Sequence, residues 1–197
     1  MKQLKTKDLM ATGVYAVLYF ICVGIGTLIG TFVIGQGHMQ WVPAFSALLS
    51  GVVYMLLIAK VGKFGAISLL GLMMALFFLA VGRFFLSFVP SLLFGILADY
   101  LAKSGHYRNK WVNLVSYIVF SFGNIGPIFL MWFMKDAYVA NLLARGKDMA
   151  YINTVMVAFE WQQVALIFGS VVVFGLIGGL FGQAMVQKHF VKAGIVR

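Results

Sequence analysis

The chain has 197 residues, 62% of them hydrophobic and 10% charged, and a net charge of +10. A water-soluble domain carries roughly 25% charged residues, and one core of this size cannot hide so much apolar surface, so the solvent must be lipid. Nucleic-acid binding is excluded by the placement of the charges, which fall in short clusters between apolar runs; a single cysteine, Cys22, excludes an internal disulfide.

Residues 1–8 form a basic leader with Lys2, Lys5 and Lys7. Residues 9–34 carry no charge and form the first predicted span, glycine-rich in its second half, where a bend or early end is expected. This run is too long for the apolar region of a cleavable signal peptide and lacks a small-x-small exit. Residues 35–40 read as a loop. The second span is 41–59, with Pro43 in its first turn, where a missing N–H costs little. Lys60 and Lys63 bracket a tight turn before the third span, 64–82. The fourth, 84–102, is interrupted by Pro90 and Asp99, each close to one end. A basic loop follows, and Asp99 is expected to pair there with Lys103 or Arg108. The fifth span is 111–134, with a kink expected near Pro127. Residues 135–163 are the one long connection; apolar residues such as Leu142, Met149 and Ile152 alternate there with polar ones, so short helices lying over the bundle are expected.

The sixth span, 164–186, has no charge, and Lys188, His189, Lys192 and Arg197 crowd the tail behind it. Gly175 and Gly179, like Gly178 and Gly182, are four apart, a spacing that lets another helix approach closely in lipid. The chain's own helices and a partner's could each use that face.

Six spans with an inside N-terminus place eleven basic residues inside: Lys2, Lys5, Lys7, Lys60, Lys63, Lys103, Arg108, Lys110, Lys188, Lys192 and Arg197. Four, namely Arg83, Lys135, Arg145 and Lys147, fall outside. The bias predicts an all-α, six-helix membrane bundle with both termini cytoplasmic, in the cell membrane, with 135–163 extracellular. Five or seven spans would put a terminal basic cluster outside. The two halves show no repeat, which speaks against an inverted-repeat transporter.

No phosphate loop, Gly-x-Ser-x-Gly, His-Glu-x-x-His or paired-cysteine motif is present. The topology puts His38 on the side opposite His106 and His189. No enzymatic activity, resident metal or cofactor is expected. The polar residues at membrane depth are the informative ones, because such groups are costly in lipid and face the bundle interior. Thr27, Thr31, Gln36, Ser87, Ser91 and Ser121 gather toward the outer half, with aromatic neighbours. The candidate ligand-binding residues are His38, Trp41, Arg83, Asn124, Trp132, Glu160 and Gln163. Most have a plainer alternative: Trp41 and Trp132 as an aromatic belt, Arg83 snorkelling to headgroups, Asn124 satisfying backbone freed by Pro127, Gln163 with Gln162 as interface residues, His38 as a loop residue. Near the other end of the first span, Thr12 and Ala16 are four apart beside Gly13, a small-residue stripe that could admit a partner helix or pack internally.

The stripe Thr12-Gly13-Val14-Tyr15-Ala16 is similar to the Ala-x-x-x-Ala docking motif of the substrate-binding S components of energy-coupling factor (ECF) importers, with Thr in place of the first Ala. Gly95-Ile96-Leu97-Ala98-Asp99-Tyr100 and the tail Lys188-His189-Phe190-Val191-Lys192-Ala193-Gly194 resemble the Trep-Strep group of S components. The resemblance implies a subunit that binds a vitamin, metal or other micronutrient from outside and docks through Thr12 and Ala16 on a membrane T component carrying two ATPases. It also implies that the subunit topples in the membrane to release its cargo. The alternatives are a small stand-alone secondary transporter and a ligand-free membrane scaffold. His38, Met39, Arg83 and the aromatics leave haem open as one cargo.

Overall fold

The computed structural model describes residues 4–35, 37–82 and 85–192. Among these the regular structure is entirely helical, without strands. Ten α-helices occur: α1 (Thr6–Ile29), α2 (Val42–Leu49), α3 (Gly51–Lys60), α4 (Ala66–Ala80), α5 (Phe88–Ser104), α6 (Lys110–Ser121), α7 (Gly126–Phe133), α8 (Lys135–Ala144), α9 (Met149–Val155) and α10 (Trp161–Met185). Wide π-turns extend α1 through Gly30–Ile34 and α10 through Val186–Val191.

Three helical stretches are long and apolar enough to cross a bilayer: Thr6–Ile34, Lys110–Phe133 and Trp161–Phe190. The predicted second span is not one rod. It breaks into α2 and α3 with a 45° bend, and the pair counts as a fourth crossing if taken together. Gly51 lies just past the break, where the backbones of α3 and α10 touch at Gly178, with no room for a side chain on either. The predicted third and fourth spans are shorter than expected. α4 has 15 residues and α5 has 17, about 22 and 26 Å at 1.5 Å per residue. The fifth is continuous over 24 residues but tightens to a 3₁₀ turn at Phe122–Ile125, just before Pro127 in the first turn of α7. The 35–40 segment holds a 3₁₀ turn at His38–Gln40, and the long connection folds into α8 and α9 as short helices.

The helices close a ring. α1 packs on α2, α3 and α4; α4 on α5; α5 on α6; α6 on α10; and α10 returns to α2 and α3. The bent α2–α3 pair is the most enclosed, whereas α1 and α10 expose apolar faces including Val14, Ile21, Leu28, Val173, Ile177 and Phe181. In lipid, apolar area gives no drive to association, so close backbone packing must hold such helices. Glycine supplies it. A methyl group on Gly182 would meet the Gly51 carbonyl at 2.5 Å, and one on Gly71 would meet the Ser91 carbonyl at 2.7 Å and the Gly95 Cα at 3.0 Å. A methyl on Gly178 would collide with the Ala47 and Leu48 carbonyls. The glycine face of α10 is thus filled by the chain's own α2, α3 and α6.

The ring has two unlike ends. The basic end gathers the start of α1, the α3–α4 turn, the α5–α6 loop and the end of α10. At the other end lie the π-turn of α1, the His38 turn, the 3₁₀ turn Phe85–Ser87, α7, α8 and α9. Two apolar clusters fill the interior, one around Tyr19, Tyr54, Leu57 and Leu70, the other around Ile125, Ile128, Ile152 and Ile167.

Candidate functional site

At the basic end, the two buried carboxylates, Asp8 and Asp99, are paired. Asp99, fully buried in α5, caps the N-terminus of the neighbouring α4. Its Oδ2 accepts from the Gly65 N–H at 2.8 Å, the Ser68 N–H at 2.9 Å and the Ser68 hydroxyl at 2.8 Å, and its Oδ1 accepts from the Tyr107 hydroxyl at 2.7 Å. A carboxylate at a helix start satisfies orphan N–H groups and meets the positive end of the helix dipole. Gly65 takes φ +97°, which only glycine adopts freely. Burial, and then the bond to Asp99, raise the Tyr107 phenol well above its ordinary pKa, so it stays a donor. The expected pairing of Asp99 with Lys103 or Arg108 is therefore corrected. Lys103 Nζ lies 4.7 Å above the Phe64 ring instead. Asp8, at the start of α1, accepts from the Lys5 N–H and forms an ion pair with Lys63 at 2.5 Å.

Mid-ring, three fully buried tyrosines carry a second network. The Tyr54 hydroxyl and Ser116 Oγ lie 2.7 Å apart, and Ser116 donates to the Ala98 carbonyl. Tyr117 donates to the Ala47 carbonyl across the ring. Asn124 Nδ2 stands 3.5 Å from the Tyr19 hydroxyl, so this asparagine joins α1 to the fifth span rather than mending backbone at Pro127.

The far end differs. A cavity of about 300 Å³ opens between the end of α1, the His38 turn, Ser87, Pro127, α8 and α9. Its polar lining includes Thr27, Thr31, His38, Ser87, Asn141 and Arg145, beside Tyr138 and Tyr151. Local structure sets each group. The Thr27 and Thr31 hydroxyls donate to carbonyls one turn back in α1. The His38 ring lies with Nδ1 2.9 Å from the Gly35 carbonyl; a carbonyl only accepts, so Nδ1 donates there and Nε2 is left for another partner. Arg145 ends α8, and its Nη2 donates to the Val81 carbonyl at 3.2 Å. Ser87 Oγ and Asn141 Oδ1 are buried and have no hydrogen-bond partner. Buried polar atoms are normally paired, and orphans cost about 1–3 kcal/mol each. Two of them on the wall of one cavity mark a place where a guest would complete the bonding.

Of the predicted ligand residues, the structure brings only His38 to this cavity. Thr27, Thr31 and Ser87, from the wider polar set, join it. Arg83 and Gln36 lie outside the described residues. Trp41 is half-buried and off the lining, and Glu160 is exposed at the start of α10. Asn124 is committed to Tyr19. Trp132 stacks edge-on against Phe159 and Phe129; its Nε1, like Gln163 Oε1, is buried without a partner away from the cavity lining. Asn141 and Arg145 were missed, because in sequence they are ordinary polar residues of a long connection. The signal available was only their helical spacing, four apart.

The docking stripe is also corrected. Thr12 and Ala16 are both 0% exposed. Thr12 donates to the Asp8 carbonyl and Ala16 sits in the core, so no partner helix reaches either in this arrangement.

A ring of apolar helices with a polar-lined cavity at one end and a bonded polar network through its middle defines a polytopic membrane protein with a small-molecule-sized pocket. The family model described as "Hypothetical bacterial integral membrane protein (Trep_Strep)" matches residues 6–192, and the chain belongs to that family. No curated protein and no solved structure matches it.

Proposed function

We propose that this chain is the substrate-capturing S component of an ECF-type importer in the bacterial cell membrane, powered by a T component and two ATPases. The observation that carries the reading is the far-end cavity, whose wall leaves Ser87 Oγ and Asn141 Oδ1 unbonded, set above a middle of the ring that buried tyrosine bonds tie together. A capture subunit needs an outward pocket and no route through the bundle. The lack of a phosphate loop in the sequence fits energy supplied by partners. In this reading α4 and α5 complete six crossings with their flanking turns, and the basic end faces the cytoplasm by the excess of lysine and arginine there. The cavity then faces outward.

The lining favours an organic cargo. Arg145 supplies a fixed positive charge, while His38 Nε2, Ser87 and Asn141 supply acceptors or a hydroxyl, and no acidic residue lines the wall. A compact anion bearing N–H or O–H groups suits that set. At about 300 Å³ the cavity is at the small end of ligand pockets, which favours a small vitamin-like molecule over haem. Docking on α1 falls on its lipid-facing side, with Met10, Val14, Val17 and Ile21 exposed there.

The test is reconstitution. Uptake of labelled micronutrients into cells expressing the chain is expected only when the T component and ATPases are co-expressed. Uptake without them would establish a stand-alone transporter. Failure of every small anion in the panel to bind the purified chain would leave a scaffold.

A further inference from the structure

A second cavity, of about 240 Å³, opens at the basic end between α3, the α5–α6 loop, the start of α6 and the end of α10. It is separate from the cavity described above and shares no residue with it. Three observations coincide there. Arg108 and Lys110 line it and are exposed, with no acidic side chain in the wall. Asn113, 7% exposed, also lines it, and its Oδ1 is buried without a partner. Its Nδ2 is already committed, donating to the Tyr107 carbonyl at 3.1 Å, which fixes the orientation of the amide. Met55, Ile58, Ala59 and Val186 give the wall an apolar side, and Tyr107, Gln183 and Gln187 complete the lining.

The chemistry is specific. Two cations call for a phosphate, whose oxygens accept from guanidinium and ammonium groups. An orphaned amide oxygen cannot bond an anionic oxygen; it calls for a donor. Apolar walls call for a hydrocarbon continuation, and Trp111, 71% exposed beside Lys110, sits as an aromatic anchor at a membrane surface does. Basic pockets between membrane helices hold anionic headgroups. We infer that this cavity binds a phosphodiester carrying free hydroxyl groups, of the phosphoglycerol headgroup type, with Arg108 and Lys110 on the phosphate and Asn113 Oδ1 accepting from a hydroxyl. The Gln183 side chain, which donates to the Lys110 carbonyl at 2.7 Å, holds the start of α6 in place beneath it.

The experiment measures lipid retention by native mass spectrometry, and thermal stabilisation, of the full chain in mild detergent. Dioleoyl phosphatidylglycerol is the probe. Phosphatidylmethanol, with equal charge and no hydroxyl, and phosphatidylcholine, with no net charge, are the controls. Phosphatidylglycerol is expected to bind about fivefold or more tightly than phosphatidylmethanol, one hydrogen bond's worth, and both more tightly than phosphatidylcholine. Arg108→Gln with Lys110→Gln, both at exposed positions, should weaken phosphatidylglycerol by about tenfold or more while leaving the lipid-free melting temperature unchanged. Asn113→Leu should abolish the preference over phosphatidylmethanol; where that variant fails to fold, the wild-type lipid comparison decides alone. Stabilisation by soluble glycerol 3-phosphate would assign the site to a free phosphoester; stabilisation by the lipid only would assign it to the bilayer. Equal retention of phosphatidylglycerol and phosphatidylcholine, or no loss in the double variant, overturns the proposal. None of these readouts involves the cargo cavity, so they stand or fall independently of the import reading.

Discussion

Asp99 and Ser87 belong to the same helical neighbourhood and live opposite lives. Asp99, near the end of α5, is fully buried and holds four donors within 2.9 Å. Ser87, just before α5 begins, is 1% exposed and holds none. Along the single rod between them, the ring passes from a bonded seal to an unfinished wall. Bonding that is complete in the folded chain serves rigidity. Bonding left incomplete lowers stability, and it is retained where something else can finish it.

The comparison is broken most severely at the seal. Asp99→Ala strands the Gly65 and Ser68 N–H groups and two hydroxyls in a buried site, and should cost about 3–5 kcal/mol. The expected outcome is loss of the monodisperse peak in detergent chromatography, whereas Asp99→Asn, which keeps an acceptor oxygen, should retain part of it. Next comes the helix seam. Gly178→Val drives a branched side chain into the Ala47 and Leu48 carbonyls and should destabilise by about 3 kcal/mol, read as a lowered melting temperature. A substitution of Gly169, which has open space around it, should not. At the open end, Arg145→Gln should leave thermal stability within about 0.5 kcal/mol, since the side chain is exposed. It should weaken cargo binding by about tenfold, the worth of a hydrogen bond to a charged group. The smallest and sharpest contrast is between two serines. Ser68→Ala removes a bond to Asp99 and should cost about 1 kcal/mol, while Ser87→Ala removes an unpaired hydroxyl and should be neutral to melting yet weaken the ligand. Equal effects of the two on stability would erase the distinction between the ends.

What could be read in advance followed from long-range averages. Apolar run length found the helical stretches around residues 9–34, 111–134 and 164–186, and composition found the membrane. Bond partners could not be read this way. Asp99 lies four residues from Lys103 in sequence, so a salt bridge is the natural expectation; three of its four donors are instead 31 and 34 residues away, at the start of a helix that only the fold brings alongside. Tyr19, Tyr54 and Tyr117 sit inside apolar runs and look like filler until their hydroxyls are seen bonding across the ring. The backbone contact of Gly51 with Gly178 joins residues far apart along the chain. His38, Thr27, Thr31 and Ser87 were legible because polar residues at membrane depth are conspicuous; Asn141 and Arg145 were not, because polarity in a connecting segment is ordinary. Thr12 and Ala16 were read as a docking face from spacing, yet spacing does not say whether a small-residue stripe faces in or out.

The glycine seam on α10 also dictates when the molecule can be finished. Gly51 and the carbonyls of Ala47 and Leu48 find their mates only at Gly178 and Gly182, more than 120 residues later in the chain. Until the ribosome has delivered the last helix, the α2–α3 elbow has nothing but acyl chains against its bare backbone. The protein is thus completed from its carboxyl end, and a chain interrupted short of residue 178 would meet the insertion machinery with its innermost rod unclosed.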